Sequence, residues 1–228
     1  MKRKRKEKTE EQKLLTKIRK SLPSHVVEVE ISVQREQEFR LFSIQEHLRI
    51  IRNTVLGELL RNYKQMARTK EYKKLLKRYR YISERLKKIE DGKELKSEKK
   101  ECTEEFKLLR EKYNVTFDYA RKYGEFLRKK FSLPDAVTTW TVCGMAWDSI
   151  EGLLYRDSNK VYFYKRSDLI TLQGKQSNRS IVLKQDKDRS FYVSFKGMKF
   201  PVTPKENDIF IEETLSHIET YIKKSVYR

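Results

Sequence analysis

"SHVVEVEISVQ", residues 24–34, alternates apolar and polar side chains from Val27 to Gln34. Val27, Val29, Ile31 and Val33 fall on one side of an extended chain, and Glu28, Glu30 and Ser32 on the other, because successive side chains of a strand point to opposite faces. The stretch predicts a half-buried strand. A strand by itself leaves its backbone donors and acceptors unpaired, so this one needs partners. The sequence offers none nearby. The next strand-like runs, VYFYK, SIVLK, SFYVSF and GMKFPV, begin only after residue 160 and are divided by turn residues, as in a small barrel. The simplest expectation is one sheet or barrel with everything between inserted after its first strand.

The intervening material reads as helical. In SIQEHLRIIRNTVLGELLRNYKQMA, Ile44, Leu48, Ile51, Val55, Leu59 and Tyr63 recur at steps of three and four, and Ser43 is the expected N-cap. Leu75, Tyr79, Ile82, Leu86 and Ile89 form a heptad seam that resumes, after Asp91-Gly92, at Leu95, Cys102, Phe106, Leu109 and Tyr113. Two amphipathic helices about a glycine turn predict an antiparallel hairpin over 70–113. A helix over about 116–131 stops before Leu133-Pro134. Another, AVTTWTVCGMAWDSIEGLLYR, starts after Asp135 and brings Trp140, Cys143 and Trp147 to neighbouring positions of one face. Near the end, NDIFIEETLSHI predicts a short helix and ETYIKKSVYR a last strand that the sequence leaves in the middle of a fold.

The charge points to an anionic partner. The chain has 228 residues and a formal net charge of +20, from 53 Lys+Arg against 33 Asp+Glu. Such an excess repels itself in a compact state, and a polyanion relieves the repulsion. Nucleic acid leads and an acidic membrane surface follows. Aromatic residues make up 11% of the chain, with 13 tyrosines, and aromatics interleaved with cations suit base stacking beside phosphate pairing. The first 20 residues, with ten Lys/Arg and three Glu, form a basic tail. Between Lys70 and Lys130 there are 21 Lys/Arg against 12 Asp/Glu, so the helical surfaces are net cationic.

No catalytic or metal-binding motif stands out. Cys102 and Cys143 lie far apart, without CxxC or Cys/His companions, which leaves a zinc site and a disulfide framework unsupported. His25, His47 and His217 are single. The acids sit mostly among lysines on helical faces, where i,i+4 pairing accounts for them, rather than grouped around divalent ions. No apolar run is long enough to span a membrane, and no signal-peptide core follows the N-terminus. The expectation is a non-enzymatic cytoplasmic protein with no cofactor.

The stretch best suited to phosphate is "RSDLITLQGKQSNRSIVL", residues 166–183. Gly174 lets the backbone approach closely, Ser177 and Asn178 donate, and Lys175 and Arg179 add charge, with Lys165 and Arg166 at the entrance. Arg49, Arg52, Arg78 and Arg85 are the candidate backbone contacts on the helices.

The order Lys165-Arg166-x-Asp168-Leu169, then Thr171-Leu172-x-Gly174-Lys175-x-x-Asn178 and a strand, resembles the wedge-domain segment of TnpB-like, transposon-encoded RNA-guided endonucleases, relatives of the type V CRISPR effectors. Ala146-Trp147 through Gly152-Leu153 is similar to the helix before that segment. Phe200-Pro201-Val202 and Asp208-Ile209-Phe210 through Ile218-x-x-Tyr221 are similar to the late wedge strands and the lead-in to the nuclease. The likeness covers about residues 135–228, and over 24–134 it is one of layout. Position 171 is Thr where the family pattern has Ser.

The resemblance implies an α+β fold, with a small wedge-type, OB-like β-barrel and a large helical insertion after its first strand. Its parts would be a basic tail (1–23), the first wedge strand (24–40), a helical recognition insertion (41–157), and the remaining barrel strands with a truncated lead-in (158–228). It further implies binding of a structured guide RNA and target DNA, the protein reading backbone shape while base pairing reads sequence. The family's RuvC-like nuclease, with its metal-binding acids and zinc ribbon, has no counterpart in this sequence, so the resemblance implies either a truncated product or a half that works with a nuclease-bearing polypeptide in trans. Two other readings stand beside this one: a guide-independent, sequence-tolerant nucleic-acid binder of a mobile element, and an interaction protein built on the helical hairpin.

Overall fold

The computed structural model describes residues 10, 28–87, 93–132, 134–155, 158, 160–173, 180–188 and 190–204. The basic tail apart from Glu10, Val27, the Asp91-Gly92 turn with Ile89, His25, His217 and the expected elements after residue 204 lie outside the described residues. The architecture is α+β. Five helices, α1 (Arg35–Arg68), α2 (Lys70–Leu86), α3 (Lys93–Lys112), α4 (Phe117–Arg128) and α5 (Ala136–Tyr155), separate β1 (Val29–Ile31) from β2 (Val182–Gln185), β3 (Phe191–Phe195) and β4 (Met198–Pro204).

The chain divides into two compact units, residues 1–32 with 202–228, and Val33–Pro201. In the first, the strand read in 24–34 finds its partner at the far end of the described chain: Val29, Glu30 and Ile31 pair antiparallel with Pro204, Thr203 and Val202. The strand is shorter than its alternation suggests. It stops at Ile31, and Ile31 is exposed rather than half-buried.

In the second unit β2, β3 and β4 pair antiparallel. The β3–β4 hairpin turns on Lys196 and Gly197, with φ of 51° and 78°. Left-handed φ at both central residues is the turn whose twist matches the flanking strands. Pro201, which has no N–H to give, sits where β4 changes partner from β3 to β1. The strand order is β1-β4-β3-β2. Among the described residues the sheet is open, with β1 and β2 at its edges.

Two expectations are corrected here. Helix α1 begins at Arg35, not after Ser43: Gln34 precedes the first turn, and the Gln37 side chain accepts from the Gln34 backbone N–H at 3.0 Å. The same Gln37 donates through Nε2 to the Lys199 carbonyl at 3.0 Å, so the start of α1 is fixed by β4. Ser43 is interior to the helix and donates to the Phe39 carbonyl at 3.0 Å. The second correction concerns VYFYK, which forms no strand; its Tyr162 carbonyl and Tyr164 peptide group are bonded by side chains of α1 instead.

The core of this unit lies between α1, α4 and α5. Ile44, Leu48, Ile51, Val55, Leu56 and Leu59 pack with Ala120, Val142, Cys143, Ala146 and Ile150, and Ile170, Phe195, Met198 and Phe200 continue the cluster to the sheet. Helix α5 approaches α4 so closely that a Cβ at Gly124 would lie 2.1 Å from Cys143 Sγ. Of the face read on α5, Cys143 is buried and Trp147 half-buried, while Trp140 is exposed under the Arg121 guanidinium. Asp135 caps α5, accepting from the N–H groups of Val137 and Thr138 at 2.8 and 2.9 Å, and its other oxygen accepts from Ser180 Oγ at 3.1 Å. Helices α2 and α3 run antiparallel, with Glu71 against Lys112 and Arg78 against Glu105, and bury a separate small cluster of Leu75, Ile82 and Cys102.

Candidate nucleic-acid interface

Residues 161–173 run antiparallel to α1 as an extended strap. The peptide group of Tyr164 donates to Asn53 Oδ1 at 3.0 Å and accepts from Asn53 Nδ2 at 2.8 Å. About two turns away, Gln45 does the same for Ile170, at 2.9 and 2.7 Å. Arg49 Nη1 donates to the Tyr164 carbonyl at 3.2 Å, and Arg52 Nη1 to the Tyr162 carbonyl at 3.0 Å. Gln45, Arg49, Arg52 and Asn53 recur at helical spacing, so one polar stripe of α1 serves as the strap's hydrogen-bonding partner. A buried or half-buried backbone must be paired, and here helix side chains do what a neighbouring strand would.

Two of the four sequence-selected helical arginines therefore have internal work. Arg52 is only 4% exposed; its guanidinium lies 3.8 Å from the Tyr164 ring centroid and also reaches Ser149 Oγ at 3.4 Å. Burial pulls its pKa below the ordinary guanidinium value, with Tyr164 opposing the shift. Arg52 faces the interior and is withdrawn as a phosphate contact. Arg49 forms a two-point pair with Glu46, at 2.8 and 2.7 Å, that raises the arginine's pKa and lowers the glutamate's. Half-buried, it lines the groove described next. Arg78 and Arg85 are exposed on the hairpin. Arg78 bridges to Glu105 and Glu101 at 3.1 and 3.6 Å, and Arg85 stacks on exposed Tyr81 at 5.6 Å.

Beyond Tyr164 the strap makes a tight turn. The Lys165 N–H donates to Asp168 Oδ2 at 2.7 Å and the Asp168 N–H to the Lys165 carbonyl at 3.1 Å. This closes Lys165-Arg166-Ser167-Asp168 on itself and leaves Lys165 and Arg166 exposed. The turn and the first turns of α1 enclose a groove of about 610 Å³ lined by Phe39, Phe42, Glu46, Arg49, Arg166 and Leu169, among others. Phe39 is 63% exposed and Leu169 73%. The Arg35 guanidinium lies 5.9 Å from the Phe39 ring. Exposed rings beside exposed cations can stack bases while pairing phosphates.

The sequence reading missed Phe39, Phe42, Leu169 and Arg35. The available signal was two phenylalanines outside the apolar stripe of α1, which a longer α1 would have placed on a helix surface. Lys175, Ser177, Asn178 and Arg179 lie outside the described residues. His47 stacks on Phe131 at 4.6 Å, a packing role. Cys102 and Cys143 are free and buried; burial pushes both thiols up, Cys143 to about 12. Among the described residues no group of three or more His, Cys, Asp or Glu is placed to hold a metal ion, and no helix is long and apolar enough to cross a membrane. The sequence matches no protein-family model and no curated protein.

Proposed function

We propose that this chain binds nucleic acid along its backbone, as the guide-RNA- and target-DNA-binding portion of a TnpB-like protein, with no nuclease centre of its own. The observation that carries the reading is the groove between the Lys165–Asp168 turn and α1, where Arg166 and Arg49 stand beside exposed Phe39, Phe42 and Leu169, with Lys165 exposed at the start of the turn. The formal charge of +20 supplies the long-range attraction that such a contact needs. On this reading the described strands belong to a wedge-type, OB-like barrel, and Lys175, Ser177, Asn178 and Arg179, which lie outside the described residues, are further candidate backbone contacts. The compartment proposed is the cytoplasm.

Filter binding with the folded end of the element's own transcript, against length-matched random RNA, tests the proposal. Preference for the folded transcript supports it. Equal affinity for both moves the chain to the guide-independent class of binder, and no affinity for either removes nucleic acid altogether. One observation favours the hairpin reading: Leu108 is 64% exposed on α3, beside Leu75 and Leu109, where a protein partner would cover it. A dimer that survives ribonuclease and high salt on size exclusion would support that alternative.

A further inference from the structure

We propose that the pocket where the α2–α3 hairpin meets the end of α5 receives one unstacked base of a single-stranded nucleic acid. The proposal rests on the nucleic-acid reading above and adds to it a site away from the groove on α1. Helix α2 contributes Tyr72 and Tyr79, α3 contributes Phe106 and Arg110, and α5 contributes Leu154 and Tyr155. The cavity measures about 100 Å³, room on the order of three to four waters. That space suits one flat ring and excludes a folded segment of chain.

The walls have the chemistry of a base site. Tyr72 and Tyr79 each meet Phe106 edge-on, with centroids 5.8 Å away and planes at 70° and 81°. Tyr155 is exposed, and the Arg110 guanidinium sits 5.4 Å from its ring centroid and bonds its hydroxyl. Lys99 Nζ lies 5.2 Å from the Tyr79 ring centroid. Two cations therefore flank a recess walled by four aromatic rings. Glu111 and Glu151 lie within electrostatic reach of Arg110 and temper its charge without removing it. An aromatic side chain from a protein would fit the space equally. The flanking cations and the net charge of the chain favour a base, which arrives with phosphates on both sides.

Photo-cross-linking of the full chain to a polyuridine oligonucleotide carrying one 5-iodouridine, with the adducts mapped by mass spectrometry, tests the assignment. Adducts are expected on Tyr79, Phe106 or Tyr155. Thr103→Trp fills the mouth from an exposed position of α3, and Tyr155→Ala removes an exposed wall. Each should lower the pocket adduct and weaken binding by about fivefold or more, with the circular dichroism spectrum of the parent retained. Oligonucleotide binding with adducts only elsewhere, or with yields unchanged in both variants, overturns the pocket and leaves the groove standing. Competition by a tryptophan peptide but not by unlabelled oligonucleotide also overturns it, and assigns the pocket to a protein. Absence of any oligonucleotide binding removes the broader reading together with this one.

Discussion

The side-chain amide of Asn53 pairs with the peptide group of Tyr164 at both ends, 2.8 Å at the carbonyl and 3.0 Å at the N–H. A residue of a helix thus satisfies an extended backbone 111 positions away as a strand would. Asn53→Ala leaves the Tyr164 N–H without its partner, while the carbonyl keeps only Arg49, and an unpaired part-buried group costs about 1–3 kcal/mol. Urea unfolding should show that loss for Asn53→Ala and a similar one for Gln45→Ala. Because both clamps hold the same strap, the double variant should fall short of the sum. Unchanged midpoints would mean the strap is not held by these amides.

Arg52 and the Lys165/Arg166 pair separate folding from binding. Arg52→Ala strips a donor from the Tyr162 carbonyl and a guanidinium from the Tyr164 ring, a loss of about 2–4 kcal/mol. It should lower the unfolding midpoint and, in buffer where the chain stays folded, leave the salt dependence of nucleic-acid binding as it was. A flattened salt slope in Arg52→Ala would place this arginine at the ligand after all.

Gly124 gives a test whose sign depends on one contact. Alanine in a helix interior gains about 1 kcal/mol over glycine, yet a Cβ here would sit 2.1 Å from Cys143 Sγ. Overpacking of that kind costs about 1–3 kcal/mol, so Gly124→Ala should destabilise. With Cys143→Ala the sulfur is gone, and the nearest remaining side-chain contacts are at 3.7 and 3.8 Å. In that background Gly124→Ala should be neutral or stabilising. Thermal melts of the four chains of the cycle decide it.

Alkaline pH should weaken the fold through its buried acids. Burial raises the Cys143 thiol from 9.0 to about 12 and the Tyr72 hydroxyl from 10.0 to about 12. The folded chain therefore holds protons that the unfolded chain has released over that interval. The stabilisation is whole below about pH 9 and is lost progressively as pH rises toward 12. Cys143→Ala should make stability fall less steeply between pH 9 and 11, measured by urea midpoints. Native thiols should react slowly with a disulfide reagent at pH 8, and both cysteines should react on unfolding.

Much of this fold could be read from side-chain spacing, and the limits of that reading were physical. The hairpin seam was legible because Leu75, Ile82 and Cys102 bury against each other along two neighbouring helices, and helical spacing records burial directly. The lone strand at 29–31 announced that it needed a partner without naming it, since an alternating pattern records a buried face and not the strand across the ladder. VYFYK has the composition of a strand, but its backbone partners are Asn53, Arg49 and Arg52, polar residues of a helix. The start of α1 was misplaced because Ser43 is the better cap by propensity, whereas Gln34 and Gln37 were chosen by the position of β4. Of the candidate site, Lys165 and Arg166 were found from their place beside a loop. The rings next to them depended on where α1 begins.

The central claim is that the exposed turn at Lys165–Asp168 contacts a polyanion, and the salt dependence of binding tests it most directly. Affinity for a folded RNA should be measured across a salt series for the parent chain and for Lys165→Ala with Arg166→Ala. Each lost phosphate contact removes about 0.7–0.9 from the slope of log affinity against log salt. The account predicts weaker binding and a slope flatter by about 1.5. A double variant with the parent's affinity and the parent's slope would contradict it.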